Sequence, residues 1–261
     1  MRTLVKNKCG FTLIEVLVAM VTGIIVLAGI YAAIDSQQKI YTKESQVVDA
    51  EQNVRGASHF MVREIRLAGM DETGMAGAGV LIAGPHSIRF TLDRNDDEDV
   101  ADADEDIAYG FSATDDTEPN GLADSGAAPI IRVTTGNDRL AEDIHAVGFA
   151  YSFDDDGDGE VDYVDVDADG VLDPGEEIWA YDSDGDGDLD WDNDAGGALA
   201  TDVSYDRIRA VRIWILARTR NALRGYAGTK NFIVGDKVIN VNDNFNYRLL
   251  THTVKCRNMG I

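Results

Sequence analysis

Two cysteines, four prolines and four histidines in 261 residues leave little material for disulfide staples or for soft-metal chemistry. The histidines are scattered, with no Cys or His neighbour at ligand spacing, which excludes a zinc site. Neither a G-x-S-x-G turn nor a phosphate-binding loop occurs, so the common nucleophile and nucleotide motifs are missing and nothing points to an enzyme. Positive charge is also scarce. Lys and Arg number 23 against 47 Asp and Glu, a formal net charge of -24, which makes nucleic acid and anionic lipid poor partners. Between Asp154 and Asp194 there is no Lys or Arg, yet this stretch holds 19 acidic residues.

At the N-terminus, Lys6-Asn7-Lys8-Cys9-Gly10-Phe11-Thr12-Leu13-Ile14-Glu15 sets a short basic leader directly before a long apolar run. A secretory signal peptide is cut after its apolar region, so that region is discarded. Here the small residue, Gly10, stands before it, and cleavage there leaves the apolar segment in place. A lipid-acceptor role for Cys9 fails on order, because only Leu4 and Val5 precede it as apolar residues. The run from Gly10 through Phe-Thr-Leu-Ile-Glu-Val resembles the type IV prepilin motif. The resemblance implies that a prepilin peptidase cuts after Gly10, ending a leader of residues 1–10, and methylates Phe11. It also implies that Glu15 pairs with the N-terminal amine of a neighbouring subunit as the helices bundle. Without the leader the net charge falls by three to -27 and Cys256 is the only cysteine, so no intramolecular disulfide is expected.

From Phe11 to Ile34 only Glu15 is charged. A helix of about 24 residues rises roughly 36 Å, enough for a hydrocarbon core of about 30 Å. Arg2, Lys6 and Lys8 precede the segment and the far flank mixes both signs, which places the N-terminus in the cytoplasm and the rest outside. An ordinary single-span anchor needs neither Glu15 nor the glycine before Phe11. A carboxylate in such a helix is costly unless it sits near the interface or meets a cation. Register setting between subunits is one explanation for Glu15, and complementing the helix dipole is the simpler one. Beyond Asp35, Ile40, Val47, Val54, Met61 and Ala68 recur every seven residues, supported by Tyr41, Val48 and Ile65. This stripe predicts an amphipathic continuation over 35–69, capped near Gly69.

Acidity in 154–194 is ordered. Asp165, Asp167, Asp169, Gly170, the carbonyl of Val171, Asp173 and Glu176 fit a twelve-residue calcium loop at every functional position. An earlier copy offers Asp154, Asp156, Asp158, Gly159, the carbonyl of Glu160, Asp162 and Asp165. A later one offers Asp182, Asp184, Asp186, Gly187, the carbonyl of Asp188 and Asp190, with Asn193 at its last position. Two to three Ca2+ ions are expected, the third loop weakest, and Asp165 either bridges two ions or serves one. The flanks, Tyr151-Ser152-Phe153 and Ile178-Trp179-Ala180-Tyr181, read as strands, so the loops are inserted in a sheet. The simpler reading is a solvated acidic loop that keeps the protein soluble. A shorter run, Asp93 to Asp106, has Glu98 where glycine is required and is read as an acidic turn.

Ser87–Leu92, Ile130–Thr135, Val147–Phe153, Ile208–Ala217 and Phe245–Val254 read as antiparallel strands. In the fourth, Val211, Ile213 and Ile215 share one face and Arg212, Trp214 and Leu216 the other. Eleven of the Lys and Arg lie from Arg207 onward, offsetting the acidic insertion, meeting an acidic neighbour, or protecting strand edges. Ile65-Arg66-Leu67-Ala68-Gly69-Met70, the run Val211 to Leu216 and the run Tyr247 to Asn258 resemble the minor pilin family PilW, related to the J pseudopilin of type II secretion. That resemblance implies an α+β pilin fold: a long N-terminal helix on an antiparallel sheet head, 70–261, with the 154–194 insertion. It further implies a minor pilin that initiates or caps a type IV pilus. Its partners would be major and minor pilins met through the helix, the inner membrane before assembly, and the pilus near its tip afterwards. The alternatives are a type II secretion pseudopilin, a pilus-borne calcium-dependent adhesin, and a membrane-anchored calcium-binding protein that never polymerises.

Overall fold

The computed structural model describes residues 10–173, 175–223 and 225–259; the leader residues Arg2, Lys6, Lys8 and Cys9 lie outside the described residues. A helix, α1 (Leu13–Ile65), opens the described chain and runs 53 residues without a proline. Two compact units divide within it, Met1–Ser45 and Gln46–Ile261. The helix begins two residues later than Phe11 because Thr12 caps it, and it ends at Ile65 rather than 69. Residues 66–69 form a turn that closes at Gly69, whose φ of +73° is open to glycine at little cost.

Among the described residues of the first unit every large apolar side chain is exposed, Leu17, Ile24 and Leu27 included, and the helix is long and apolar enough to cross a membrane. Burial starts later along the helix, with Ala50, Val54, Ala57, Ser58, Met61, Glu64 and Ile65. Of the expected stripe, Ile40, Tyr41 and Val48 therefore stay exposed.

Ten strands form one antiparallel sheet. Its first arm runs β1 (Val80–Ala83), β2 (Ile88–Thr91), β3 (Asp106–Gly110) and β4 (Ala128–Val133). The 17-residue β5 (Asn137–Phe153) pairs with β4 through its first half and with β9 (Ile208–Arg218) through its second. At Tyr151 it also pairs with β6 (Ala180–Tyr181), which leads to β7 (Asp188–Asp192) and β8 (Gly197–Ser204). The remaining strands are the hairpin β10 (Gly228–Val234) and β11 (Lys237–Asp243), and β12 (Tyr247–Lys255), which pairs along β9.

Both faces of the central strands are covered, which is why β9 reads as a nearly unbroken apolar run. Val211, Ile213 and Ile215 pack with Val54, Met61 and Ile65 of α1. Trp214 and Leu216 point the other way, onto Val234, Ile239 and Val241 of the hairpin. The two faces assigned to this strand from alternation are the two that form.

One buried ion pair fixes the last turns of α1 to the sheet. Arg132 Nε and Nη2 donate to the Glu64 carboxylate at 2.9 and 3.0 Å, its Nη1 donates to Asp104 at 2.9 Å, and the Tyr109 hydroxyl donates to Glu64 as well. Burial pulls the Arg132 guanidinium down, but the bonds to Glu64 and Asp104 outweigh it. Farther up the helix, Asn53 exchanges side-chain hydrogen bonds with the backbone of Glu142, and Gln46 accepts from Asn221 N–H at 3.1 Å. Burial pushes the Cys256 thiol up to about 12, which leaves it unreactive.

Candidate cation-binding loops and the N-terminal motif

The acidic insertion is organised by its own backbone. In each loop the first aspartate turns inward and accepts N–H groups from the residues that follow. Asp154 accepts from Gly157 at 2.7 Å and Gly159 at 3.1 Å, Asp165 from Asp169 at 3.1 Å and Gly170 at 2.8 Å, and Asp182 from Gly185 at 2.6 Å and Gly187 at 3.3 Å. The chain can bend this sharply because Gly159, Gly170 and Gly187 sit at φ of +90°, +76° and +107°. Glu160, Val171 and Asp188, whose carbonyls the spacing nominates, donate their N–H groups to Asp158, Asp169 and Asp186.

Carboxylates converge as a result. One oxygen each from Asp154, Asp156 and Asp158 lies within 4.8 Å of the others, and the same holds for Asp165, Asp167 and Glu176, for Asp167, Asp169 and Asp173, and for Asp182, Asp184 and Asp186. The loops close differently. In the second, Glu176 at position twelve accepts the N–H of Val166 and of Asp173, both at 2.9 Å. In the first and third, the position-nine aspartates accept instead: Asp162 from Asp155 N–H at 2.7 Å, and Asp190 from Ser183 N–H at 2.7 Å. The twelfth positions of those loops are used elsewhere. Asp165 groups with the second loop, and Asn193 donates its N–H to the Trp179 carbonyl. Pro174, inside the second loop, lies outside the described residues.

The three leading aspartates also differ in what else they hold. Asp154 is buried and its Oδ2 receives Arg209 Nη2 at 3.2 Å. Burial raises its carboxyl, but the N–H groups of Gly157 and Gly159 and the Arg209 guanidinium hold it below the usual carboxylate range. Asp182 is buried and accepts from the Tyr205 hydroxyl. Asp165 is exposed and, among the described residues, accepts only from its own loop. Burial and the neighbouring carboxylates push Asp184 up, and they do the same to Asp162 against the opposing pull of the Asp155 N–H.

The run 93–106 repeats this plan, which its sequence conceals. Asp93 accepts the N–H groups of Asp96 at 2.6 Å and Glu98 at 3.1 Å, and Glu98 takes the left-handed φ of +70° where the other loops place glycine. Glu105, buried, closes the loop by accepting from Arg94 and Asp102. The overlooked signal is Glu105, thirteen positions into the loop rather than twelve.

At the other end of the chain, Gly10 and Phe11 are exposed and precede the helix. Thr12 and Glu15 form a capping box: Glu15 N–H donates to Thr12 Oγ1 at 3.3 Å, and Thr12 N–H donates to the Glu15 carboxylate at 2.8 Å. Within one chain, Glu15 thus has a local role beside any between chains.

Residues 5–31 match the prokaryotic N-terminal methylation motif, and with the exposed apolar helix that begins inside the match they fit a membrane-anchored protein of the type IV pilin class. Residues 122–258, just over half of the chain, match the family of the type IV pilus-assembly protein W, PilW. The chain belongs to the PilW family. No curated protein and no solved structure matches it.

Proposed function

We propose that this chain is a minor pilin that initiates or caps a type IV pilus, with a head stabilised by calcium. The observation that carries the first part is the pairing of the methylation motif with a wholly exposed apolar helix and a PilW-family head on one chain. A prepilin peptidase would cut after Gly10 and methylate Phe11. The helix would then leave the inner membrane by packing among other major and minor pilins, because an apolar segment of this size has no stable state in water. Once the first turn is buried among such helices, Glu15 would need a cation beside Thr12, and the new N-terminal amine of a neighbour supplies one. Replacing Glu15 by Ala tests this: piliation is lost while membrane insertion stays normal. Unchanged piliation overturns it.

Calcium fits the insertion by donor chemistry. The converging ligands are all hard oxygens, carried on a segment with no Lys or Arg, which suits calcium rather than softer metals. Asp165, Asp167, Asp169, Asp173 and Glu176, with the Val171 carbonyl, would hold one ion. Asp154, Asp156, Asp158 and Asp162, with the Glu160 carbonyl, would hold another, and Asp182, Asp184, Asp186 and Asp190, with the Asp188 carbonyl, a third. The second loop is the strongest, because Asp165 has no side-chain competitor among the described residues, whereas Asp154 is shared with Arg209 and Asp182 with Tyr205. A bound ion would relieve carboxylate repulsion and add folding free energy to a head without a disulfide. Titration calorimetry on the full chain in detergent, with melting in calcium and in chelator, checks this; no heat and no shift in Tm removes the metal.

A further inference from the structure

Among the cations of the unit Gln46–Ile261, Arg55, Arg89, Arg132, Arg139, Arg207, Arg209, Arg212 and Arg220 each lie at ion-pair distance from a carboxylate. Arg63, Arg66, Arg94, Arg248, Lys255 and Arg257 are exposed and hold none among the described residues. Arg63, Arg66, Lys255 and Arg257 gather around the edge of β12, Lys255 on the sheet face away from α1, since its partner Ala210 packs on that face. His59, Arg63 and Arg66 follow one another at one-turn spacing, the first two on α1 and Arg66 one residue past its end with its N–H still on the Val62 carbonyl, which puts them on one side. That side meets β12 and its extension: the rings of His59 and His252 are 6.4 Å apart, and Arg257 N–H donates to the Arg66 carbonyl at 3.4 Å. From Asn244 to Met259 the sequence has no acidic residue. Carboxylates do appear nearby, Asp71, Glu72 and Asp206 around the hollow beside Asn258, but Asp71 is already taken by the N–H groups of Gly74 and Gly77.

A protein of net charge -24 thus carries a stripe of unpaired positive charge. Edge protection accounts for Lys255 on β12; it does not account for Arg63, on α1, or for Arg66, in the turn that follows it. Like charges set side by side repel unless something negative lies over them. The strand beneath them offers a second kind of contact. β12 pairs with β9 along all nine residues and with no other strand among the described residues, so its outer edge has free N–H and C=O groups. A polypeptide edge can answer both features at once. Phosphates of a lipid surface or a nucleic acid answer only the charge, and the field of the rest of the protein repels a polyanion.

We propose that the stripe His59, Arg63, Arg66, Lys255 and Arg257, with the open edge of β12, docks a carboxylate-rich strand or loop of another protein subunit. This rests on the reading of the chain as a pilin that assembles with others. Treating intact cells that carry the full chain with a water-soluble carbodiimide tests it, since the reagent joins an ammonium to a carboxylate in direct contact. Mass spectrometry is expected to find Lys255 linked through an amide to an Asp or Glu of another chain, a second copy of this one included. The yield should fall at least tenfold in a variant carrying Arg63→Glu, Arg66→Glu and Arg257→Glu. Lys255→Arg keeps the charge and should abolish the link. Far-UV circular dichroism melts of the variants establish that the fold is kept; should the triple reversal not fold, Arg63→Gln with Arg66→Gln replaces it, with a smaller loss expected.

The proposal is overturned by any of three results: no inter-chain link at Lys255, a link to phosphate, or a yield unchanged by charge reversal. Sheared filaments from the same cells are probed separately for the chain. Absence from filaments with the Lys255 link intact sinks the pilus reading and leaves the docking surface standing. Presence in filaments without the link does the reverse.

Discussion

The helix-facing core and the acidic insertion are built on opposite principles. Around Met61 and Ile65 the structure excludes water, and its one ion pair, Glu64 with Arg132, is buried and fully hydrogen-bonded. The insertion leaves Val164, Val166 and Val171 exposed and aims carboxylates at one another, held mainly by backbone N–H groups. The first holds its geometry through packing. The second has the geometry of a ligand cage but accumulates negative charge in it. Substitutions should therefore act on the two by different routes.

The largest effect is expected from Arg132→Ala, which strands the Glu64 carboxylate in the core. About 3–5 kcal/mol should be lost in urea unfolding, with or without calcium. A loss under 1 kcal/mol would mean that the core tolerates an unpaired charge, and the contrast with the insertion would fail.

Next comes His86, at the turn between β1 and β2. Burial holds its imidazole down at about 4, against an opposing pull from Asp236, and its Nδ1 is buried without a partner. The native state resists protonation while the unfolded chain takes a proton near the ordinary value of 6.5. The contribution is therefore full above that value and is lost as pH falls toward 4. Between pH 7 and pH 5 the head should lose about 2 kcal/mol through this group, and His86→Gln should flatten that slope in pH-dependent melts. An unchanged slope assigns the acid sensitivity elsewhere.

Asp167→Ala sharpens the comparison most. In chelator it should melt like the parent or slightly higher, because one repelling charge is gone. In millimolar calcium it should lack about 1–2 kcal/mol of the parent's stabilisation. Equal losses in both conditions would make the insertion an ordinary structural loop. The smallest effect belongs to the exposed pair Lys39 and Asp35 on α1: Lys39→Ala should change the melt by less than about 0.5 kcal/mol.

Legibility in the sequence followed the same division. The five strands read from branched and alternating runs correspond to β2, β4, β5, β9 and β12, because their periodicity records burial. β7 carries Asp188, Asp190 and Asp192 and looks like loop, since its pairing partners supply what its composition does not. The hairpin β10–β11 was within reach: Gly235-Asp236 between two alternating runs is a two-residue turn signal, and its inner face, Val234, Ile239 and Val241, obeys the alternation. The end of α1 was placed four residues late because apolar spacing persists through Ala68, although the hydrogen-bond pattern tightens after Ile65. Among the loops, residue types and spacing gave the ligand candidates. They could not show that Asp162 and Asp190 close two of the loops at position nine, nor that Arg209 reaches Asp154 from a strand 55 residues away.

Asn53 does more than steady the helix. Over the first half of β5 the β9 side of the strand is vacant, because that pairing begins only at Ile144 and Ala217. With its amide set against the N–H and C=O of Glu142, one side chain stands in for a missing strand and blunts a seam where a stray chain could otherwise anneal. Replacing it would expose that seam, and the defect would surface as clumping during export rather than as a lower melting point.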